Sequence, residues 1–349
     1  MTATLTVNAR QLTELLAKAI PAGLPVLITG APGIGKSAVV EAAVEAAGAD
    51  LILSHPVVSD PTDAKGLPWA SEGATEATFL PFGELALALK ATKPTVWFLD
   101  DLGQASPAVQ ASFMQLILAR RVNGHKLPDC VTFVAATNRR TDRAGVSGIL
   151  EPVKSRFATI VELVADIESF SQWALSQDWY PTVLVAFNRF RPDLLSDFKA
   201  TADMENSPLP RTWANVARLL ALDLPSDLEY AAIAGAVGEG AAAEFMGFLR
   251  MYRELPNIDG ILLDPDGEPI PDQPATLYAI VTALGSRVSE ANAARVLRYA
   301  ERLMEAGSGE FAAVLVRDSI RKVPAVKETR AFVQFASGEF STLLTGGAA

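Results

Sequence analysis

The hydrophobic residues in the first half of the chain form short runs that alternate with stretches of helical spacing. Five apolar runs are typical of buried strands, at residues 26–28, 51–53, 95–99, 131–136 and 159–163. One helical pattern, over residues 6–19, precedes the first run and has Leu12, Leu15 and Leu16 on one face. Helical patterns also fill most of the intervals between the runs. Strands that alternate with helices indicate a parallel sheet covered on both faces. Residues 1–165 are therefore predicted to form a three-layer α/β domain.

The second half of the chain has a helical period almost throughout. Candidate helices are found at residues 212–222, 226–237, 241–255, 289–306 and 310–321. One interruption, over residues 256–274, holds five prolines and four aspartates and is predicted to be a long loop or a short hairpin. Residues 166–349 are therefore predicted to be all-α.

The segment between the first apolar run and the next helical pattern carries a phosphate-binding motif. It reads G-A-P-G-I-G-K-S and matches G-x-x-x-x-G-K-[ST] between a strand and a helix. Glycines let backbone N–H groups turn toward phosphates, the lysine reaches the β- and γ-phosphates, and the hydroxyl binds Mg²⁺. The predicted ATP-binding residues are Gly30, Ala31, Pro32, Gly33, Ile34, Gly35, Lys36 and Ser37.

Polar residues follow the third and fourth predicted strands directly. Asp100 and Asp101 directly follow the apolar run 95–99, and this arrangement fits a Walker B site. Asp100 is predicted to hold Mg²⁺, with Ser37 as its other protein ligand, and Asp101 to orient or deprotonate the attacking water. Asn138 follows the fourth strand and is predicted to hold that water or to sense the γ-phosphate. Taken alone, the paired acids could be a helix cap and the asparagine a turn former.

Composition limits the remaining classes of function. The net charge of −10 argues against a broad nucleic-acid surface, since phosphate neutralisation supplies most non-specific affinity. Cys130 is the only cysteine, so neither an intrachain disulfide nor a cysteine-based zinc cluster is expected, and a cytoplasmic location is predicted. Residues 1–10 lack the order of a signal peptide, and no apolar stretch has the length of a membrane span.

Several motifs together resemble those of an AAA+ ATPase of the MoxR-like group. They are the phosphate loop, V-W-F-L-D-D at 96–101, V-A-A-T-N at 134–138, K-S-R-F at 154–157 and P-R-T-W at 210–213. The resemblance implies a parallel five-stranded sheet of order 5-1-4-3-2 in an AAA+ P-loop NTPase domain, followed by a helical lid and a C-terminal helical extension. It also implies an inserted hairpin near residues 59–82 that faces a ring's pore, and hexameric assembly.

The same resemblance assigns roles to individual residues. Asn138 matches the sensor 1 position and Arg211 the sensor 2 position at the start of a lid helix. Arg156 matches the arginine finger that enters the neighbouring subunit's site. The rival candidates for the finger are Arg139, Arg140 and Arg143, which otherwise belong to a solvated basic loop or to an intersubunit salt bridge.

The leading functional hypothesis is ATP hydrolysis with Mg²⁺ in a ring that remodels, assembles or activates a protein partner. The resemblance implies that this partner contains a von Willebrand factor A domain. One alternative is a nucleic-acid motor or a restriction-type NTPase subunit. Another is a slow nucleotide-switched assembly protein, because Asp101 is one methylene shorter than the glutamate that most AAA+ proteins carry there.

Overall fold

The computed structural model describes residues 5–70, 73, 75–142, 148–201, 203–255 and 257–337. The chain divides into two compact units, and each is described by itself. The first unit comprises Met1–Ser169 and Phe198–Met204, and the second comprises Phe170–Asp197 and Glu205–Ala349. The division lies at 169/170 and not at 165/166, and the short segment 198–204 belongs with the first unit. No helix in the described part of the chain is long and apolar enough to cross a membrane.

The described residues of the first unit form strands and helices in alternation. The strands are β1 (Thr6–Val7), β2 (Val26–Thr29), β3 (Asp50–Ser54), β4 (Leu67–Trp69), β5 (Thr78–Leu80), β6 (Thr95–Leu99), β7 (Arg121–Val122), β8 (His125–Lys126), β9 (Val131–Thr137) and β10 (Thr159–Leu163). The helices are α1 (Ala9–Ala19), α2 (Lys36–Ala46), α3 (Pro61–Lys65), α4 (Gly83–Leu89), α5 (Pro107–Ala119) and α6 (Glu151–Lys154).

The central sheet has six parallel strands in the order β1-β10-β2-β9-β6-β3. The five strands from β10 to β3 run in the order 5-1-4-3-2, so the sheet differs from the predicted five-stranded one by the added edge strand β1. Residues 6 and 7 were predicted to begin the first helix, and that prediction is wrong. They pair with Glu162 and Leu163. The helix begins after Asn8, whose side chain accepts a hydrogen bond from the Gln11 N–H at 2.9 Å.

The two faces of this sheet are covered by separate apolar clusters. On one face, Val26, Ile28 and Phe98 pack with α1 and α2, and on the other, Leu27 and Trp97 pack with α5. Every residue of β6 and β9 is buried, because a parallel strand in the middle of a three-layer domain contacts helices on both sides.

An antiparallel hairpin of β4 and β5 lies within residues 59–82. Its aromatic side chains face solvent, since Trp69 is 61% and Phe79 is 39% exposed within the single chain. The hairpin is joined to the neighbouring hairpin of β7 and β8 by a hydrogen bond between the His125 Nε2 and the Phe79 carbonyl oxygen at 2.9 Å.

The described residues from 167 onward form helices, as the helical period indicates. They are α7 (Ile167–Leu175), α8 (Thr182–Phe190), α9 (Pro210–Leu220), α10 (Ser226–Val237), α11 (Glu239–Arg253), α12 (Ile258–Leu263), α13 (Pro274–Ser286), α14 (Ala293–Glu305), α15 (Gly309–Lys322) and α16 (Arg330–Ser337). Helix α12 corrects the prediction of a loop or hairpin over 256–274. It forms because Ile258 and Ile261 are spaced for one buried helix face and because Asn257 caps its first turn.

A buried ion pair joins three helices of the second unit. The guanidinium of Arg189 on α8 donates to both carboxylate oxygens of Asp318 on α15, at 2.6 and 3.0 Å. It also donates to the Thr282 hydroxyl on α13 at 3.2 Å. Both partners of the ion pair are buried, so removal of one leaves the other as an uncompensated charge.

We expect Asp318→Ala to lower the free energy of unfolding by about 3 to 5 kcal/mol, because Arg189 would keep its charge in a buried environment. Urea denaturation followed by circular dichroism measures the change. The control is Asp259→Ala, which breaks the exposed Arg287–Asp259 pair and should cost less than about 1 kcal/mol. Equal losses in the two variants would contradict the prediction.

Candidate nucleotide-binding site

The candidate site lies where three neighbouring parallel strands end. β2 leads into the phosphate loop, β6 into Asp100 and Asp101, and β9 into Asn138. These strands are adjacent in the order β2-β9-β6, so their carboxyl ends meet at one edge of the sheet. Crevices at the carboxyl ends of strands are where open α/β sheets bind ligands.

Two glycines of the phosphate loop are required by its backbone. A Cβ atom on Gly30 would lie 2.7 Å from the carbonyl oxygen of Leu163 and 2.6 Å from the Ile34 Cδ1. Gly35 has a φ of 96° and precedes the first residue of α2, a conformation that side chains other than glycine rarely adopt. The loop therefore delivers the N-terminus of α2, with its exposed N–H groups and positive dipole end, to the edge of the sheet.

Lys36 is the first residue of α2 and its side chain is held over the loop. The Nζ donates to the carbonyl oxygens of Gly30 and Ala31, each at 3.0 Å. It also donates to the Oδ1 of Asn138 at 2.6 Å. Residues predicted separately, 102 positions apart, are thereby in direct contact.

Ser37 and Asp100 are also in direct contact. The Ser37 hydroxyl donates to the Asp100 Oδ2 at 2.7 Å. A hydroxyl and a carboxylate oxygen are the ligand types that Mg²⁺ takes when phosphates and waters complete its shell. The two predicted metal ligands therefore fit a shared Mg²⁺ in their chemistry and in their closeness.

Asp101 has an unusual backbone conformation. Its φ and ψ are 58° and 33°, in the left-handed region, and a short 3₁₀ turn over Leu102–Gln104 follows it. Its N–H donates to the Asp100 Oδ1 at 3.1 Å, and the Asn138 Nδ2 lies 3.5 Å from its Oδ1. Among residues with side chains, aspartate and asparagine enter this region most readily. The backbone therefore gives a physical reason for an aspartate at this position.

We expect Asp101→Glu to lower the free energy of unfolding by about 1 kcal/mol, because glutamate tolerates the left-handed region less well than aspartate. Asp101→Asn is the matched control and should leave stability nearly unchanged. Thermal or urea denaturation of both variants measures the difference. A glutamate variant as stable as the asparagine variant would show that the conformation does not select the residue.

The three rival arginines beyond Asn138 differ in their surroundings. The guanidinium of Arg139 forms ion pairs with Asp142 at 3.0 Å and Glu162 at 3.1 Å. The hydrogen bond to Asp142 is the largest cause of a raised pKa for Arg139. Arg140 is exposed, and Arg143 lies outside the described residues. Arg139 is therefore held by carboxylates of the same chain.

Arg156 lies just beyond α6. Its Nε donates to the carbonyl oxygen of Met114 on α5 at 3.1 Å, and its Nη1 donates to the carbonyl oxygen of Pro152. The segment before it is held by Gln110 of α5, which the sequence analysis missed. The sequence does contain a signal for Gln110. It is a polar residue on the buried face of α5, where most of the other residues are apolar.

Arg211 belongs to the second unit. It is an exposed residue in the first turn of α9, directly after Pro210. Proline at this position has no N–H to leave unpaired and favours the start of a helix there. The predicted role of Arg211 toward a nucleotide stays a prediction.

Residues 25–157 match the family model described as an AAA domain of the dynein-related subfamily. The match covers less than half of the chain. It agrees with the P-loop, the strand order and the helices on both faces of the sheet, and together these support an AAA+ P-loop domain in the first unit. A region of 169 residues is 29% identical to midasin of Giardia intestinalis, covering 46% of this chain and 3% of midasin.

Two solved structures are similar in outline. A point mutant of RuvB from Thermotoga maritima has a TM-score of 0.40 and 18% identity, with 85% of this chain and 87% of that chain covered. NtrX from Brucella abortus has a TM-score of 0.34 and 13% identity, with 96% and 69% covered. Another similar structure is RuvB of Thermotoga maritima described as a Holliday junction branch migration motor. TM-scores this low carry no argument about the activity or partners of this chain.

Proposed function

We propose that this chain is a MoxR-like AAA+ ATPase that binds and hydrolyses ATP with Mg²⁺ in a ring and thereby remodels, assembles or activates a protein partner. The observation that carries the proposal is the convergence of Lys36, Ser37, Asp100, Asp101 and Asn138 at one edge of the parallel sheet. Each of these side chains contacts another member of the set, and the N-terminus of α2 lies beside them.

Each residue has a task that its position supports. Lys36 binds the β- and γ-phosphates, and the N–H groups of the loop surround them. Ser37 and Asp100 hold Mg²⁺, which neutralises charge on the phosphates when it is bound. Asp101 orients or deprotonates the attacking water, and Asn138 holds the water or senses the γ-phosphate.

Two arginines complete the proposed site from outside this edge of the sheet. Arg156 enters the nucleotide site of the neighbouring subunit and stabilises the charge that develops on the transferred phosphoryl group. Arg211 senses the nucleotide from the lid. A finger supplied by a neighbour requires a closed ring with head-to-tail contacts, and a hexamer is the proposed form.

The proposed partner is a protein with a von Willebrand factor A domain, and the proposed location is the cytoplasm. The exposed Trp69 and Phe79 of the β4–β5 hairpin are available to grip a partner chain in the pore of the ring. The experiment that tests the proposal is co-purification with Asp101→Asn in the presence of ATP. Rings that bind but do not hydrolyse ATP should retain the partner, whereas wild-type rings should release it.

ATP turnover should need Mg²⁺ and should require assembled rings. Wild-type protein that binds ATP with Mg²⁺ but shows no turnover in the assembled state would exclude the ATPase. It would leave the slow nucleotide-switched assembly protein as the better description.

We expect the ATPase rate to stay unchanged when single- or double-stranded DNA is added, because a net charge of −10 disfavours non-specific binding to phosphates. Steady-state turnover at two salt concentrations, with and without DNA, is the measurement. A several-fold stimulation that weakens at high salt would instead favour a nucleic-acid motor.

A further inference from the structure

Helix α5 lies between two segments that the proposed mechanism uses. It begins at Pro107, six residues after Asp101, and Ser106 caps its first turn by accepting a hydrogen bond from the Val109 N–H at 3.4 Å. Further along, α5 packs on α6, which leads directly to Arg156. One helix therefore follows closely after Asp101 of its own subunit and contacts the segment that leads to the arginine proposed to act on the neighbour.

Gln110 makes the connection through hydrogen bonds. Its Nε2 donates to the carbonyl oxygen of Ala105 at 3.0 Å and to that of Gly148 at 3.0 Å. Its Oε1 accepts from the N–H of Leu150 at 3.0 Å. The residue is 0% exposed, so both of its donors and one acceptor are used in a place that solvent does not reach.

The same face of α5 also holds the arginine itself. The backbone carbonyl oxygen of Met114, four residues beyond Gln110, accepts the hydrogen bond from the Arg156 Nε at 3.1 Å. Val153 and Phe157, on either side of Arg156, are buried in the cluster that contains Phe113 of α5. The position of Arg156 therefore depends on how the segment 148–157 docks on this helix.

We infer that Gln110 is a positioning residue for Arg156, which it serves by fixing residues 148–150 to α5. The inference rests on the proposed role of Arg156 in the neighbouring subunit's site. The amide has a chemical advantage here, since it donates twice and accepts once in a fixed plane, whereas an apolar side chain would leave two carbonyls and one N–H unpaired. The bond to Ala105 also ties the segment after Asp101 to the segment before Arg156.

The test uses Gln110→Met, which has a similar length and no amide. The expected result is a fall of about 10- to 100-fold in kcat, the scale on which small displacements of catalytic groups act. The dissociation constants for ATP and ADP should change less than about twofold, because the phosphate loop of the same subunit is intact. Gln110→Asn keeps the amide but is one methylene shorter. It should show a smaller fall in kcat, and it replaces Gln110→Met in the experiment if the methionine variant does not fold.

Mixed rings separate a displaced finger from a damaged nucleotide site. Gln110→Met subunits mixed with Lys36→Ala subunits should recover turnover, because the latter supply a normal Arg156 to a normal phosphate loop. Gln110→Met mixed with Arg156→Ala should recover none, since neither variant supplies a positioned finger. The opposite pattern would overturn the inference and place the defect in the subunit's own nucleotide site.

Two further measurements make the failures distinguishable. Thr132→Val removes another buried hydrogen bond of the first unit, from Thr132 to the Ile20 carbonyl oxygen at 3.1 Å, and should leave kcat within about twofold. An equal fall in kcat for Thr132→Val and Gln110→Met would reduce Gln110 to a general stability effect.

If Arg156→Ala and Lys36→Ala subunits fail to complement each other, the proposed finger itself fails. If that pair recovers and the Gln110 pairs behave in the opposite way, only the role of Gln110 fails.

Discussion

Replacement of Arg156 by alanine is expected to reduce ATP turnover by about 10³- to 10⁵-fold, the range found for fingers supplied in trans to a GTPase. Nucleotide binding should survive, because the contacts of Lys36 with Asn138 and of Ser37 with Asp100 do not involve Arg156. Steady-state turnover and calorimetric ATP affinity measure the two effects separately. The combination of lost turnover and retained affinity is what distinguishes a finger from a residue needed for folding.

The structure also indicates why lysine should replace Arg156 poorly. The arginine donates from two different nitrogens to carbonyl oxygens of α5 and α6, and a guanidinium carries five N–H donors in a planar fork. A lysine ammonium lacks that plane and cannot donate in two fixed directions while also reaching a phosphate. Arg156→Lys is therefore expected to lose most of the turnover that Arg156→Ala loses.

Mixing provides the decisive control for the trans arrangement. Arg156→Ala and Lys36→Ala subunits should each be nearly inactive alone and should recover partial activity when they share a ring. Arg140→Ala, measured in parallel, tests the exposed rival. If Arg156→Ala keeps near-normal turnover and Arg140→Ala loses it, the finger has been assigned to the wrong arginine.

Lys36→Ala is expected to weaken ATP binding by at least roughly 100-fold. Two hydrogen bonds from a charged donor to phosphate, at about 1.5 kcal/mol or more each, amount to about 3 kcal/mol or more. Calorimetry with ATP and ADP measures the change. Lys93→Ala is the matched control, because this lysine is exposed and pairs with Asp50 at the surface. Equal affinities in Lys36→Ala and wild type would remove the phosphate loop from the proposed site.

The variant must also be shown to fold. Lys36 is buried and donates to two carbonyl oxygens of the loop and to Asn138, so its loss removes several contacts within the protein. Circular dichroism should show a native spectrum. A variant that binds no nucleotide and is unfolded would be replaced by Lys36→Met, which retains most of the side-chain volume.

The local parts of the fold and of the site could be read from the amino-acid sequence. The phosphate loop needs glycines at fixed spacing between a strand and a helix, and all of these features lie within about twenty residues. The buried strands were recognisable because both faces of β6 and β9 contact apolar layers, which leaves continuous runs of hydrophobic residues. The helices of the second unit were recognisable from their period, whereas α12 was obscured by prolines at both ends.

Other features depended on tertiary structure. β1 is two residues long and shows no period, so only its pairing with β10 reveals it. The left-handed backbone of Asp101 leaves no mark on the hydrophobic pattern, although aspartate enters that region more readily than most residues. Arg139 is held partly by an ion pair with Glu162, which lies 23 positions away in the sequence. Gln110 and Arg156 form hydrogen bonds with residues that lie 38 to 42 positions away. The sequence by itself determined which chemical groups the site contains, because these are encoded by short motifs. Only the tertiary structure decided how they are oriented, because hydrogen bonds between distant segments depend on the packing of the whole unit.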